Sequence, residues 1–354
     1  MPESRASKPL FRAAAVLLAL GLTTLALVAT GAPSFAAYAS IAKGAFGTWG
    51  VASDVVVAWV PLLLVTSGLL VTFAVGLWNI GIEGQITLGA IFSTWALRSL
   101  QGNAASGAID PTLAIAIAIL AGMAGGALWA MLVGALKTFG GVNEIFGGLG
   151  LNFVATALNI WLIFGPWKRP GVASMSGTVP FDQRYWLPTL NPQSRLAPIA
   201  VGLAIAAIAI VFLLLQGTYF GLRLKAVGKN PRAAFLLGIP TWQYTMASFA
   251  LCGIFAGLAG AVQVTSVYHR LIPSISSGYG YMGLMVSMLV NYSAALAAPV
   301  ALFFAALNVG SIQLPIVHKL DSSLAGVLQG TLVLFVILGE GLRSRLMGKG
   351  GPKP

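Results

Sequence analysis

The chain has 354 residues, of which 58% are hydrophobic and only 8% charged, with a mean hydropathy of +0.89. No soluble fold has enough polar surface to cover that much apolar side chain, so the composition excludes a soluble globular enzyme and specifies an integral membrane protein. The net charge of +12 is scattered over loops and ends without interleaved aromatic residues, which argues against nucleic acid and for loops facing anionic lipid headgroups.

In chain order, Arg5, Lys8 and Arg12 precede an apolar run from about Ala13 to Ala32. This pattern resembles a signal peptide with a small-residue site near Ala36, but the run is long for one. It reads as an uncleaved first span with a cytoplasmic N-terminus.

The second span is expected at Ala58 to Trp78. After it, Asn79-Ile80-Gly81-Ile82-Glu83-Gly84-Gln85 interrupts the apolar sequence with glycines, amides and a carboxylate. A charged side chain at membrane depth costs about 2.5–3.5 kcal/mol on insertion scales, so it normally faces the bundle interior or water. Two readings of Glu83 stand together: a group on a transport path, or a carboxylate accepting backbone N–H bonds at a helix start.

Spans are then expected at Ile86 to Leu100, Thr112 to Leu136 and Ile145 to Phe164. Ala118-Gly122-Gly126, and later Gly253-Gly257 with Gly260, are small-residue rows that let helices approach closely. The turn Gly140-Gly141-Val142-Asn143-Glu144-Ile145 puts Glu144 in a first helical turn. Asn152 and Asn159 share one helical face, suited either to a polar path or to bonds with a neighbouring helix.

The loop from about Gly165 to Ala197 carries Lys168, Arg169, Arg184 and Arg195, with Trp167, Tyr185 and Trp186 suited to a membrane interface. A partly ordered external cap is expected there. Beyond the span at Pro198 to Gln216 comes a polar island, Gly221 to Pro240. Asn230 is a good N-cap, Pro231 suits the first helical position and Gly238 can end the helix in the left-handed conformation. A short helix ringed by Arg223, Lys225, Lys229 and Arg232 belongs on the cytoplasmic side.

Further spans are expected at Trp242 to Val264, Tyr281 to Asn291, Pro299 to Leu314 and Leu324 to Leu342, which makes roughly ten. Cys252 lies inside the first of these as a packing residue without a disulfide partner. Ser277-Gly278-Tyr279-Gly280-Tyr281-Met282-Gly283 repeats the earlier interruption, and the segments on either side of Asn291 to Pro299 form a broken or re-entrant pair. An odd number of spans separates the two interruptions, so the halves are expected to be inverted repeats, a pattern found around transport paths.

No nucleophile elbow, zinc-protease pair or phosphate loop is present, and His269 and His318 lack a paired ligand pattern. The chain therefore reads as a non-enzyme, with no metal and no cofactor of its own. A proton-coupled secondary transporter using Glu83 and Glu144 accounts for the carboxylates but not for the capped cytoplasmic helix. A scaffold or intramembrane enzyme needs catalytic pairs that are missing.

Three motifs together resemble the permease subunits of bacterial ABC importers of the branched-chain amino acid, simple-sugar and nucleoside superfamily. Asn79 to Gln85 is similar to the nucleoside branch, where ribose-type permeases tend to carry Asp-Leu-Ser. Val227-Gly228-Lys229-Asn230-Pro231-Arg232-Ala233-Ala234 with Gly238-Ile239 looks like the coupling loop, and Val142 to Ile145 with Leu151-Asn152 like the third motif. Gly147-Gly148-Leu149-Gly150 replaces the more usual hydroxyl and Met residues, and Met282 stands where Asp or Thr is common.

The resemblance covers roughly Ala58 to Glu340. It implies an all-α membrane protein like the type II importers, in the bacterial inner membrane with both termini cytoplasmic. The implied organisation is a single membrane domain over 1–354, comprising a first span and linker (1–57), a first repeat (58–165), an external loop (166–197), a connecting span and coupling loop (198–240), a second repeat (241–342) and a tail (343–354).

The implied role is a path for nucleosides, or alternatively for a simple sugar such as a pentose. Asn79, Glu83, Gln85, Asn152, Tyr279 and Tyr281 are its candidate residues. Gly228, Asn230, Pro231, Ala233, Ala234, Gly238 and Ile239 would couple to a separate ABC ATPase. A second permease chain, related or identical, an extracytoplasmic binding protein and membrane lipid are the remaining implied partners.

Overall fold

The computed structural model describes residues 18, 21–22, 24–25, 28, 34–102, 109–171, 177–191, 194–290, 293–319 and 323–347. Among them all regular structure is helical. The expected first span lies almost wholly outside the described residues, as do Asn291 and the end of the tail.

The helices are α1 (Ser34–Phe46), α2 (Trp49–Ala74), α3 (Ile82–Gly102), α4 (Pro111–Thr138), α5 (Glu144–Phe164), α6 (Pro198–Gly217), α7 (Tyr219–Lys229), α8 (Pro231–Leu236), α9 (Thr241–Val262), α10 (Tyr279–Leu289), α11 (Ala294–Gly310), α12 (Gln313–His318) and α13 (Leu324–Met347). A π-helical segment, Gln263–Tyr268, continues α9. Among the described residues, six segments are long and apolar enough to cross a membrane: Trp49–Ala74, Pro111–Thr138, Glu144–Phe164, Pro198–Gly217, Thr241–Tyr268 and Ala294–His318. α3 is not among them, because its polar residues lower its hydropathy while packing hides them: Glu83, Gln85, Thr87, Ser93 and Thr94 are all buried.

Several boundaries differ from the sequence-based expectation. α2 begins at Trp49 and carries Pro61 inside it, since a helix passing through apolar surroundings tolerates a proline when neighbouring groups serve the freed carbonyl. Pro299 likewise lies within α11 rather than opening it. α10 has only 11 residues, about 16 Å at the usual helical rise, which is too short to span hydrocarbon.

Contacts divide the chain into two units, Val56–Ala301 and the pair of stretches Met1–Val55 with Leu302–Pro354. In the smaller unit, α1 meets the end of α11 through Gly44 and Gly310: a Cβ on Gly44 would lie 2.7 Å from the Gly310 carbonyl oxygen. Ala37, Ile41, Leu307, Leu314 and Leu328 form its core.

The larger unit is built on α3, α4 and α9, which meet at backbone distance along their glycines. A Cβ on Gly126 would sit 2.6 Å from Gly257 Cα, and one on Gly122 would sit 3.0 Å from the Gly89 carbonyl oxygen and 3.2 Å from that of Gly257. Small residues hold these helices together because lipid tails offer no hydrophobic drive between apolar surfaces, leaving close packing to supply the attraction. Above this core the stretch Gly177–Leu187 is ordered. Phe181 and Tyr185 are buried in it, and Phe181 N–H and Leu187 N–H donate to the carbonyls of His269 and Thr265, each at 2.9 Å.

Candidate functional site

α2 ends where Gly76 takes φ +76°. Its N–H donates to Phe73 O at 2.9 Å and Leu77 N–H donates to Thr72 O at 3.0 Å, the paired bonds by which a left-handed glycine closes a helix. Five residues then run without helix before α3, so their backbone groups need other partners inside an apolar interior.

Asn152 bonds two such backbone groups, Ile80 O and Gly84 N–H, and Asn79 and Gln85 brace the stretch side chain to side chain. Asn79, fully buried, exchanges bonds with Gln85, Nδ2 to Oε1 at 3.1 Å and Nε2 to Oδ1 at 2.9 Å. Nδ2 also lies 3.1 Å from Cys252 Sγ. From α5, Asn152 accepts the Gly84 N–H at 2.8 Å and donates to the Ile80 carbonyl at 2.8 Å. It thereby clamps both sides of the break. The clamp needs α5 close by, and Gly148 supplies the room: a Cβ there would lie 2.6 Å from Gly81 N and 3.0 Å from Gly81 Cα.

The second break follows the π-helical end of α9. His269 (φ +53°), Ser277 (φ +49°) and Gly278 (φ +74°) turn the chain through left-handed conformations before α10. Asn159 holds this stretch, donating from Nδ2 to Ile272 O at 3.0 Å and Pro273 O at 2.9 Å. The ring of Trp186 stacks on His269 with centroids 3.7 Å apart and planes within 8°. Burial lowers the His269 pKa, the Thr265 carbonyl pulls it back up, and the Arg195 charge lowers it further.

Glu83 joins the two breaks. Its Oε1 accepts the Tyr281 backbone N–H at 3.1 Å, and Ser276 bonds the same carboxylate. Gly280 has no side chain to spare here, since a Cβ would lie 2.9 Å from Oε1. A cavity of about 300 Å³ opens beside this carboxylate, with Thr87, Asn152, Thr156, Ser276 and Tyr281 as polar lining and Leu149 and Phe153 as apolar wall. A carboxylate and several hydroxyls facing an apolar wall suit a ligand with hydroxyl donors at one end and a flat apolar body at the other.

Of the candidate path residues, Glu83, Asn152 and Tyr281 thus come together. Asn79 and Gln85 pair with each other away from the cavity lining. Tyr279 opens α10 without lining the cavity. Sequence reasoning missed Thr87 and Thr156, although each stands four positions after a chosen residue and so on its helical face. It also missed Ser274 and Ser276, for which only proximity to Gly278 was a signal. Cys252 was read as packing alone and touches Asn79 as well. Glu144 stands in the first turn of α5, paired with Lys137 at 2.7 Å, and Asn143 caps that helix by accepting the Ile145 N–H at 2.9 Å.

In the polar island, Asn230 Oδ1 accepts the Ala233 N–H at 3.1 Å with Pro231 at the first helical position. At the other end Gly238 has φ +79°, and Gly238 N–H and Ile239 N–H donate to Phe235 O at 2.9 Å and Ala234 O at 3.0 Å. α8 is therefore locked at both ends. It buries Ala234 and presents Phe235, Leu236 and Leu237, which are 67%, 84% and 80% exposed. These three are large apolar side chains exposed on a short capped turn.

The family described as "Branched-chain amino acid transport system / permease component" matches residues 51–337. Among curated relatives, the glucose ABC transporter permease protein TsgB13 of Haloferax volcanii is 29% identical, covering 92% of this chain and 86% of its own. The guanosine ABC transporter permease protein NupP of Bacillus subtilis is 26% identical over 95% of this chain and 94% of its own. The nucleoside ABC transporter permease protein NupB of Lactococcus lactis is 28% identical over 72% and 68%. With the match spanning both breaks, the cavity and the capped island, the chain belongs to this permease family and is a multi-pass membrane subunit of the ABC transporter kind.

Proposed function

We propose that this permease forms part of the path by which an ATP-driven importer takes nucleosides across the bacterial inner membrane. The observation that carries the reading is the Glu83 carboxylate beside the cavity between the two breaks. A nucleoside offers hydroxyls to Glu83, Thr87, Asn152 and Thr156 and a flat base to Phe153 and Tyr281. The names of the relatives from Bacillus subtilis and Lactococcus lactis support that class.

In this reading α8 docks a separate ATPase on Phe235, Leu236 and Leu237, and both termini lie in the cytoplasm. About ten spans form two inverted repeats, in keeping with glycine-broken segments preceding α3 and α10. The membrane domain is organised as 1–57, 58–165, 166–197, 198–240, 241–342 and 343–354. A second permease chain completes the path, and an extracytoplasmic binding protein delivers substrate.

A simple sugar is the second reading, favoured by the hydroxyl-rich lining and by the glucose permease relative. The deciding experiment measures uptake of labelled guanosine and of labelled glucose or pentose by cells with and without the cognate ATPase. ATPase-dependent guanosine uptake, uncompeted by free sugars, is expected. Sugar-only uptake replaces the substrate, and uptake indifferent to loss of the ATPase overturns the mechanism.

A further inference from the structure

We infer that Gly228 is a positioning residue that carries movement of α8 into the broken segment between α2 and α3, an inference resting on the reading of α8 as the ATPase dock. Gly228 lies in the last turn of α7, and Asn230, two positions on, belongs to both helices. Its N–H closes α7 on Ala226 O at 3.2 Å, while its side chain opens α8. A shift of α8 therefore reaches Gly228 through one shared residue.

On its other side Gly228 meets α2 backbone to backbone. A Cβ at Gly228 would fall on the carbonyl oxygen of Ala74, 2.9 Å from the Val75 carbonyl carbon and 3.1 Å from that of Ala74. Reciprocally, a Cβ on Gly76 would lie 3.3 Å from the Gly228 carbonyl oxygen. No side chain stands between the two that could change rotamer and absorb a displacement, and close-packed interiors pass strain on rather than dissipate it.

α7 is also held from behind. Leu224 and Val227 are buried, Arg223 donates to the Tyr244 hydroxyl at 3.1 Å, and Phe220 packs on the same ring at 5.3 Å. The contact falls on Ala74, Val75 and Gly76, the residues that terminate α2. The segment they begin runs through Asn79 to Glu83, whose carboxylate lines the cavity and holds the start of α10. Docking surface and cavity thus lie on two short stretches of chain, 228–237 and 74–83, that meet backbone to backbone where Gly228 packs on Ala74 and Gly76.

The test compares the full chain with Gly228→Ala, each assembled with its ATPase. Uptake and hydrolysis are read per ATPase that co-purifies with each chain, so a change in association is separated from a change in coupling. Nucleoside uptake and substrate-stimulated hydrolysis are expected to fall about tenfold or more, the usual size of a lost coupling. Uptake within about twofold of wild type overturns the inference.

Hydrogen exchange gives a readout that does not depend on the variant folding. In the wild-type complex, trapping with a non-hydrolysable ATP analogue is expected to change exchange in residues 75–85 together with 219–229. Unchanged exchange over 75–85 overturns the inference. Failure of the wild-type chain to bind any ATPase is a different result, which removes the dock and the role of Gly228 with it.

Discussion

The carboxylate of Glu83 accepts the backbone N–H of Tyr281 at 3.1 Å across 198 positions of sequence. One side chain thereby serves two helix starts, standing in the first turn of α3 and capping the first turn of α10 from outside. The geometry makes Glu83 a cap for the start of α10 and places it in the cavity lining. A carboxylate accepting an N–H at a helix N-terminus also meets the positive end of that helix's dipole.

Replacing Glu83 separates these roles. Glu83→Gln keeps an oxygen for the Tyr281 N–H and is expected to hold thermal stability close to wild type while reducing uptake. Glu83→Ala leaves that N–H without its partner, a loss of about 1–3 kcal/mol. Thermal unfolding in detergent beside an uptake assay checks both. Proton coupling through Glu83 predicts a changed pH profile in Glu83→Gln, whereas ATP-driven transport predicts the wild-type profile.

Gly148→Ala is expected to destabilise the chain by about 1–3 kcal/mol, the usual cost of overpacking a tight interior. The added methyl would stand 2.6 Å from Gly81 N, and backbone cannot rotate away as a side chain can. Displacing α5 also loosens the Asn152 bonds to Ile80 and Gly84. Gly150→Ala, which meets nothing within 4 Å, is the control, and its unfolding temperature is expected to match wild type.

Gly238→Val meets no steric obstacle, since a Cβ there would find nothing within 4 Å beyond its chain neighbours. Its penalty comes from the φ of +79°, where a non-glycine residue pays about 1–2 kcal/mol and a β-branched one more. The C-terminal turn of α8 is expected to open and ATPase association to weaken, with membrane insertion normal. Co-purification measures this, and wild-type recovery of the ATPase counts against the docking role of α8.

His269, stacked on Trp186, gives the chain a pH dependence. Burial first, with Arg195 adding to it against the Thr265 carbonyl, holds the His269 pKa below its ordinary value. The unfolded chain therefore binds the proton more readily. Stability from this group is present above the ordinary histidine pKa of about 6.5 and is lost as the pH falls below it. His269→Gln is expected to flatten this acid limb, read as thermal midpoint or tryptophan fluorescence between about pH 5 and 8.

Much of the local architecture could be read directly. The two interruptions, the caps of α8 and the small-residue rows of α4 and α9 are written in residue types whose conformational demands act within a few positions. Span limits were less legible: α2 and α11 each carry a proline inside the helix, and α3 hides its polar residues in packing. For the candidate site, Glu83, Asn152 and Tyr281 stood out as polar or aromatic residues in apolar runs. Thr87 and Thr156 did not, because hydroxyls in membrane helices commonly bond to their own backbone, as both do here.

By itself the sequence determined the helical membrane class, the position of each break and the rigid turn at α8, because apolar length, capping side chains and left-handed glycines act locally. Only the tertiary structure decided which groups meet: Asn79 with Gln85 and Cys252, Asn152 with Ile80 and Gly84, Glu83 with Tyr281, Gly228 with Ala74. Most of those partners are backbone amides or carbonyls released where helices break. Every residue carries such groups, so no residue type marks them, and their need for a bond becomes visible only when the folded interior removes water.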